Sequence, residues 1–86
     1  MEREEIFNKI TEICRDVFDD SELVVSEKTT AADVAGWDSL THLSLVSELE
    51  AFYGIEFLLD EVNSSKNLGE LLNAVIRHLE ENRRSK

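Results

Sequence analysis

Apolar residues recur at spacings of three and four near the start of the chain. Ile6, Ile10, Ile13 and Val17 form the stripe, and Phe7, Cys14 and Phe18 widen it. That period predicts an amphipathic helix over about residues 3–18, with Glu2, Glu4 and Glu5 in a first turn whose dipole favours negative charge. Asp19-Asp20-Ser21 breaks the pattern, and no 3.6-residue period survives between Ser21 and Trp37. Leu23, Val24 and Val25 are apolar enough to anchor this connection on the core. It lacks the Gly, Pro and Ser enrichment of flexible chain, so it is read as an ordered loop. Thr30 and Asp33 have capping-box spacing, which predicts a short helical turn over 31–34.

The period returns at Ser39 and lasts to Tyr53, with Leu40, Leu43, Val46, Leu49 and Tyr53 as the expected inward face and Leu45 and Phe52 broadening it. Gly54 ends this second helix, since glycine readily takes the left-handed conformation just past a helix. Residues 60–64 allow one or two turns of a third helix with Val62 inward. Asn67 then caps a fourth, with Glu70 at the third helical position. Its stripe is Leu68, Leu71, Leu72, Val75, Ile76 and Leu79, and Arg77, Arg83, Arg84 and Lys86 lie toward its negative end. No segment sustains strand alternation. Three longer helices, one short one and a long first connection predict an all-α four-helix bundle.

Length sets the scale of what such a bundle can do. Eighty-six residues are enough for one domain with a single small core, expected over about 5–79 with a frayed tail at 82–86. They are too few for a substrate cleft between lobes, which argues against an enzyme. The chain has no proline, three glycines, a charged N-terminus and no apolar run near the ~20 residues that span a bilayer. A soluble, cytoplasmic, monomeric protein with no membrane insertion is expected. The single cysteine, Cys14, excludes an internal disulfide, and its helical spacing makes it a core residue.

Charge adds a direction to this picture. The net charge is −10, and its distribution is uneven: residues 1–20 hold seven acids and three bases, 21–60 eight acids and one base, and 61–86 four acids and five bases. The acidic middle block repels nucleic acid and anionic membrane, and it attracts partners with basic patches.

The candidate chemistry lies in that block, at Gly36-Trp37-Asp38-Ser39-Leu40-Thr41. Asp38 is placed to accept a first-turn N–H, which puts Ser39 at the first helical position near the positive end of the macrodipole. A phosphodiester there would be favourably solvated. Trp37, just before the cap, is expected to pack on Leu40 or Leu43 as a hydrophobic staple.

Asp38-Ser39-Leu40 resembles the acyl carrier protein motif in which the serine carries 4′-phosphopantetheine. Tyr53-Gly54-Ile55-Glu56-Phe57 resembles the family's helix exit, and Leu68-Gly69 resembles the opening of its last helix. The resemblance implies a non-catalytic carrier of acyl or aminoacyl thioesters. It also implies a phosphopantetheinyl transferase that modifies Ser39, a loading ligase or transferase, and downstream synthase or transferase enzymes with basic patches. In primary fatty-acid carriers the second helix bears several acids. Here Thr41, Ser44 and Ser47 stand at positions expected to be exposed, and only Glu48 and Glu50 are acidic. That difference points to a specialised carrier of a lipid or polyketide type. An aminoacyl or peptidyl carrier, and an unmodified helical adaptor using the same acidic face, are the alternatives.

Asp38, Leu40, Thr41, His42, Glu48, Leu58, Leu59, Asp60 and Glu61 are the candidate partner contacts. Of the adjacent leucines Leu58 and Leu59, one is expected beneath the third helix with Val62 and the other exposed beside Glu56, Asp60 and Glu61. His42, three residues past Ser39, suggests a serine–histidine hydrolase. No Gly-x-Ser-x-Gly elbow or third group accompanies it, so it is read as a surface residue that partners recognise. Asp16, Asp19 and Asp20 form no calcium loop, and no metal site is expected.

Overall fold

Four α-helices and one short 3₁₀ turn make up the computed structural model, which describes residues 2–84. Helix α1 (Arg3–Val17) turns Ile6, Ile10, Ile13 and Cys14 into the core. It ends one residue earlier than expected, in a Schellman turn: the N–H of Asp20 donates to Arg15 O at 2.9 Å and that of Asp19 to Asp16 O at 3.2 Å. Asp19 takes the left-handed conformation there (φ 53°), which a short polar side chain tolerates.

The following loop is ordered by bonds to both outer helices. Arg15 Nε donates to Leu23 O at 2.8 Å. The Arg3 guanidinium pairs with Glu27 at 2.5 Å and donates to Asn73 Oδ1 at 2.8 Å, joining α1, the loop and α4. Leu23 and Val25 pack on the core as expected, while Val24 is exposed. The 3₁₀ turn (Ala31–Asp33) forms where the capping-box spacing placed it, with the Thr30 N–H donating to Asp33 Oδ2 at 3.0 Å.

Helices α2 (Ser39–Tyr53), α3 (Leu59–Ser64) and α4 (Leu68–Arg84) complete the bundle. Gly54 ends α2 in the left-handed region (φ 65°), its N–H donating to Glu50 O at 2.9 Å. The chain then returns to the core through Ile55 and Phe57, whose N–H donates to the Glu50 carboxylate at 2.8 Å. Helix α4 extends to Arg84. No glycine or proline interrupts its last turns, and Glu, Arg and Asn propagate a helix at little cost. Residues 85 and 86, including Lys86, lie outside the described residues.

The core is built from α1, α2, α4 and the segment after α2. Ile10, Leu45, Leu49, Leu68, Leu71, Leu72, Val75 and Cys14 are fully buried at its centre. Burial pushes the Cys14 thiol up to about 12, which keeps it protonated and inert.

Two expected packings are corrected. Helix α2 buries Leu45, Val46 and Leu49, whereas Leu40 is 76% exposed and Leu43 is also turned outward. Apolar residues lie nearly all round this helix, so the pattern could not choose the face, and packing against α1 did. Leu58 and Leu59 are both exposed, at 65% and 73%. Phe57 and Val62 fill the space expected for one of them.

Candidate functional site

The start of α2 is fixed by a reciprocal cap. Asp38 Oδ1 accepts the N–H groups of Leu40 and Thr41 at 2.9 and 3.0 Å, and Thr41 Oγ1 accepts the Asp38 N–H at 2.8 Å. The Thr41 hydroxyl donates to Gly36 O at 2.8 Å, fastening the preceding turn. That turn needs its glycine: Gly36 has φ 85°, and the Trp37 N–H closes it on Val34 O at 3.2 Å. The N–H of Thr41, joined by that of Leu40, holds the Asp38 carboxyl below its usual range, so the cap is ionised at neutral pH.

Ser39 is thereby held, exposed, at the first position of a 15-residue helix. Its hydroxyl makes no hydrogen bond to another described residue. Its own N–H is the first-turn donor that the cap leaves unpaired.

His42 departs from its expected role as a surface residue. It is half-buried: Nδ1 accepts the Trp37 indole N–H at 3.2 Å and Nε2 lies 3.0 Å from Val62 O. A carbonyl can only accept, so Nε2 carries the proton and both ring nitrogens are engaged. His42 is therefore no base for Ser39, and a serine–histidine hydrolase is excluded at this site.

Trp37 is likewise reassigned. It stacks on His42 (6.0 Å, 21°) and packs on Phe18 (5.6 Å), where Leu40 or Leu43 was expected. A hydrophobic staple joins the residue before the cap to the fourth helical position, and that position is His42. Counting strictly from Asp38 would have found it.

Beside Ser39 opens a cleft of about 420 Å³. Trp37, His42, Leu43 and Val62 form its apolar wall, and Asn63, Ser65 and Lys66 bring polar groups from the end of α3. No pattern in the sequence marked these last three, because they meet Ser39 only through the packing of α3 beside α2.

The other expected contacts divide in two. Asp38, Leu40, Glu48, Leu58, Leu59 and Asp60 are exposed. Thr41, His42 and Glu61 are half-buried and engaged within the fold. Glu61 accepts the Leu58 N–H at 2.8 Å and faces His78 Nε2 at 2.7 Å, and it pairs with Arg77. It anchors α3 to α4 within the fold. Ser44 and Ser47 are exposed as expected, but Thr41 belongs to the cap. Among the described residues no cluster of three or more His, Cys, Asp or Glu could hold a metal, and no helix is long and apolar enough to cross a membrane.

No protein-family model matches the chain. It is similar to an acyl carrier protein from Lactobacillus acidophilus, 30% identical over 78 residues that cover 91% of this chain and 98% of that protein. It is also similar to one from Rubrobacter xylanophilus, 32% identical over 78 residues, 91% of this chain and 96% of that protein. Two solved structures share its fold. A holo acyl carrier protein from Geobacter metallireducens superposes with a TM-score of 0.84 at 38% identity, covering 92% of this chain and 91% of that one. An acyl carrier protein from Thermotoga maritima gives 0.80 at 29% identity, covering 94% of each chain.

Proposed function

Because the chain belongs to the acyl carrier protein family, whose members are carriers and not enzymes, we propose that Ser39 Oγ bears a 4′-phosphopantetheine arm taken from coenzyme A. Through it the chain presents acyl or aminoacyl thioesters to partner enzymes. The observation that carries this reading is an uncommitted, exposed hydroxyl at the first position of a long helix whose entry is locked by Asp38 and Thr41.

The site suits the group. A phosphodiester on Ser39 lies at the positive end of the α2 dipole, with the Ser39 N–H free to meet it. Once attached, the arm supplies the thiol that bonds the cargo. The residues of this chain do the rest: Asp38 and Thr41 hold the hydroxyl at the helix start, and the Trp37–His42 stack braces the loop behind it. The Ser39 proton must leave to a base of the phosphopantetheinyl transferase, since His42 has no free nitrogen; the new Oγ–phosphorus bond replaces the pyrophosphate linkage of coenzyme A, and adenosine 3′,5′-bisphosphate leaves.

On this reading the chain works as one domain and a monomer in the cytoplasm. Its loading ligase or transferase and its downstream synthases would dock through basic patches. The net charge of −10 supports this, as do the exposed Glu48 and Asp60 near the bare side chains of Leu40, Leu58 and Leu59 in sequence. Exposed Ser44 and Ser47 on α2, in place of acids, favour a dedicated pathway of lipid or polyketide type.

The test is intact mass. Incubation with coenzyme A and a broad-specificity transferase adds one phosphopantetheinyl group, and Ser39→Ala abolishes the addition. Modification persisting in Ser39→Ala overturns the assignment, and a wild-type chain that stays unmodified favours the helical adaptor.

A further inference from the structure

Residues 37 to 42 enclose Ser39 in two nested rings. The inner ring is the cap, in which Asp38 and Thr41 exchange bonds across the serine. The outer ring is closed by side chains, since the Trp37 indole N–H donates to His42 Nδ1 at 3.2 Å. It also reaches further than the cap. Trp37 packs on Phe18 at the end of α1 (5.6 Å), and His42 Nε2 donates to Val62 O of α3 at 3.0 Å. Val62 lies in the last turn of a six-residue helix, whose carbonyls have no helical N–H ahead of them. One imidazole therefore joins the entry of α2 to the end of α3.

The two bonds differ in what they require of that ring. Nε2 donates whether the ring is neutral or charged, whereas Nδ1 accepts only while it carries no proton. A proton taken from solvent onto Nδ1 sets two N–H donors against each other. It breaks the Trp37 bond and leaves the Val62 bond intact. The ring is half-buried at the edge of the cleft, and histidine is the side chain whose ordinary charge change falls within about pH 5 to 8. The charged residues that share the cleft with it are Asp38 in the cap and Lys66 after α3, of opposite sign; Phe18 of α1 and Ala31 of the loop bring no charge. Once Trp37 is released, the turn at Gly36 keeps only the Trp37 N–H on Val34 O and the Thr41 hydroxyl on Gly36 O.

Resting on Ser39 as the attachment point, we infer that His42 is a positioning residue for the modification of that serine, and that it acts only as the neutral ring. With Nδ1 unprotonated, the turn leading into Ser39 is already ordered when the phosphopantetheinyl transferase arrives. With Nδ1 protonated, the transferase must order that turn as it docks, a cost that falls on KM and not on kcat. The chain thus accepts its arm less readily in acid, through a ring three residues beyond the serine.

The unmodified full-length chain tests the proton step first. Emission of Trp37, the only tryptophan, is followed from about pH 8 to 5. It is expected to move to the red as the indole N–H turns to water. In His42→Gln it is expected to stay, because an amide accepts and donates without titrating. Kinetics with coenzyme A and a broad-specificity transferase then test the positioning. The ratio of wild-type to His42→Gln rates at each pH cancels the titration of the transferase itself. Below saturation that ratio should fall about two- to tenfold toward acid pH, the worth of one neutral hydrogen bond, and the whole change should lie in KM. Trp37→Phe keeps a ring on Phe18 but has no indole N–H, and it should show the raised KM at every pH. An emission shift that persists in His42→Gln, a flat rate ratio, a change confined to kcat, or an ordinary KM in Trp37→Phe overturns the inference. A wild-type chain that accepts no arm at any pH refutes the Ser39 reading, and the positioning role with it.

Discussion

Glu61 is a single carboxylate on which three residues converge, Leu58, Arg77 and His78. It closes the first turn of α3 through the Leu58 N–H and ties that helix to α4 through His78 and Arg77. Burial alone would raise its pKa, but the His78 hydrogen bond, the Leu58 N–H and Arg77 outweigh it and hold the group down to about 2. A depressed carboxylate stabilises the fold fully above its ordinary value of 4.5, and that contribution is lost as pH falls from there toward about 2. Glu61→Gln is therefore expected to cost roughly 1–2 kcal/mol near neutrality and to flatten the acid limb of the stability profile. Denaturant unfolding between about pH 2.5 and 7 checks both effects. From sequence this residue looked like any other surface acid, because His78 and Arg77 are 17 and 16 positions away and only the packing of α3 on α4 brings them near.

At the scale of elements, Gly69 shows a choice that the sequence displayed without its reason. It opens α4, where the N–H groups of Leu68 and Gly69 donate to the loop carbonyls of Thr29 and Glu27 at 3.0 and 2.8 Å. A Cβ on Gly69 would lie 2.9 Å from Glu27 O, a backbone atom that cannot swing aside. Alanine favours helix over glycine by up to about 1 kcal/mol. Overpacking costs about 1–3 kcal/mol and here decides the sign. Gly69→Ala is expected to lower Tm, by about 4–8 °C per kcal/mol lost in a domain of this size, as read by calorimetry. A Tm that holds or rises would show that the loop yields. The fate of α2 has the same origin: its boundaries were legible from Asp38 and Gly54, but its inward face was not.

Over the whole molecule, 19 acids face nine bases within extents of 40 × 25 × 21 Å. Among the described residues, the ion pairs of Arg3 with Glu27 and of Arg77 with Glu61 bridge elements against that repulsion. At physiological ionic strength the Debye length is ~8 Å, well below these dimensions, so salt screens most of the acid–acid repulsion. Raising salt from low to physiological concentration is expected to raise Tm by several degrees, followed by circular dichroism. A flat or falling Tm would mean that the two ion pairs outweigh the repulsion. The same acidity would draw basic partners, and their association rates should fall as salt rises.

The chain by itself determined what depends on neighbours within a turn or two. Helix periods, the Asp38 and Asn67 caps, the Gly54 exit and the 3₁₀ turn after Thr30 are local physics, in which a side chain satisfies or interrupts backbone a few residues away. Ser39 was marked in the same way, since a cap fixes the residue that follows it. Tertiary structure decided which face of α2 is buried, why Trp37 also packs on Phe18, why both Leu58 and Leu59 stay outside, and what stands across the cleft from Ser39. Each of these is a competition among several side chains for one volume or one hydrogen bond. Its outcome is set by the docking of α1, α3 and α4, and no stretch of sequence contains all the competitors.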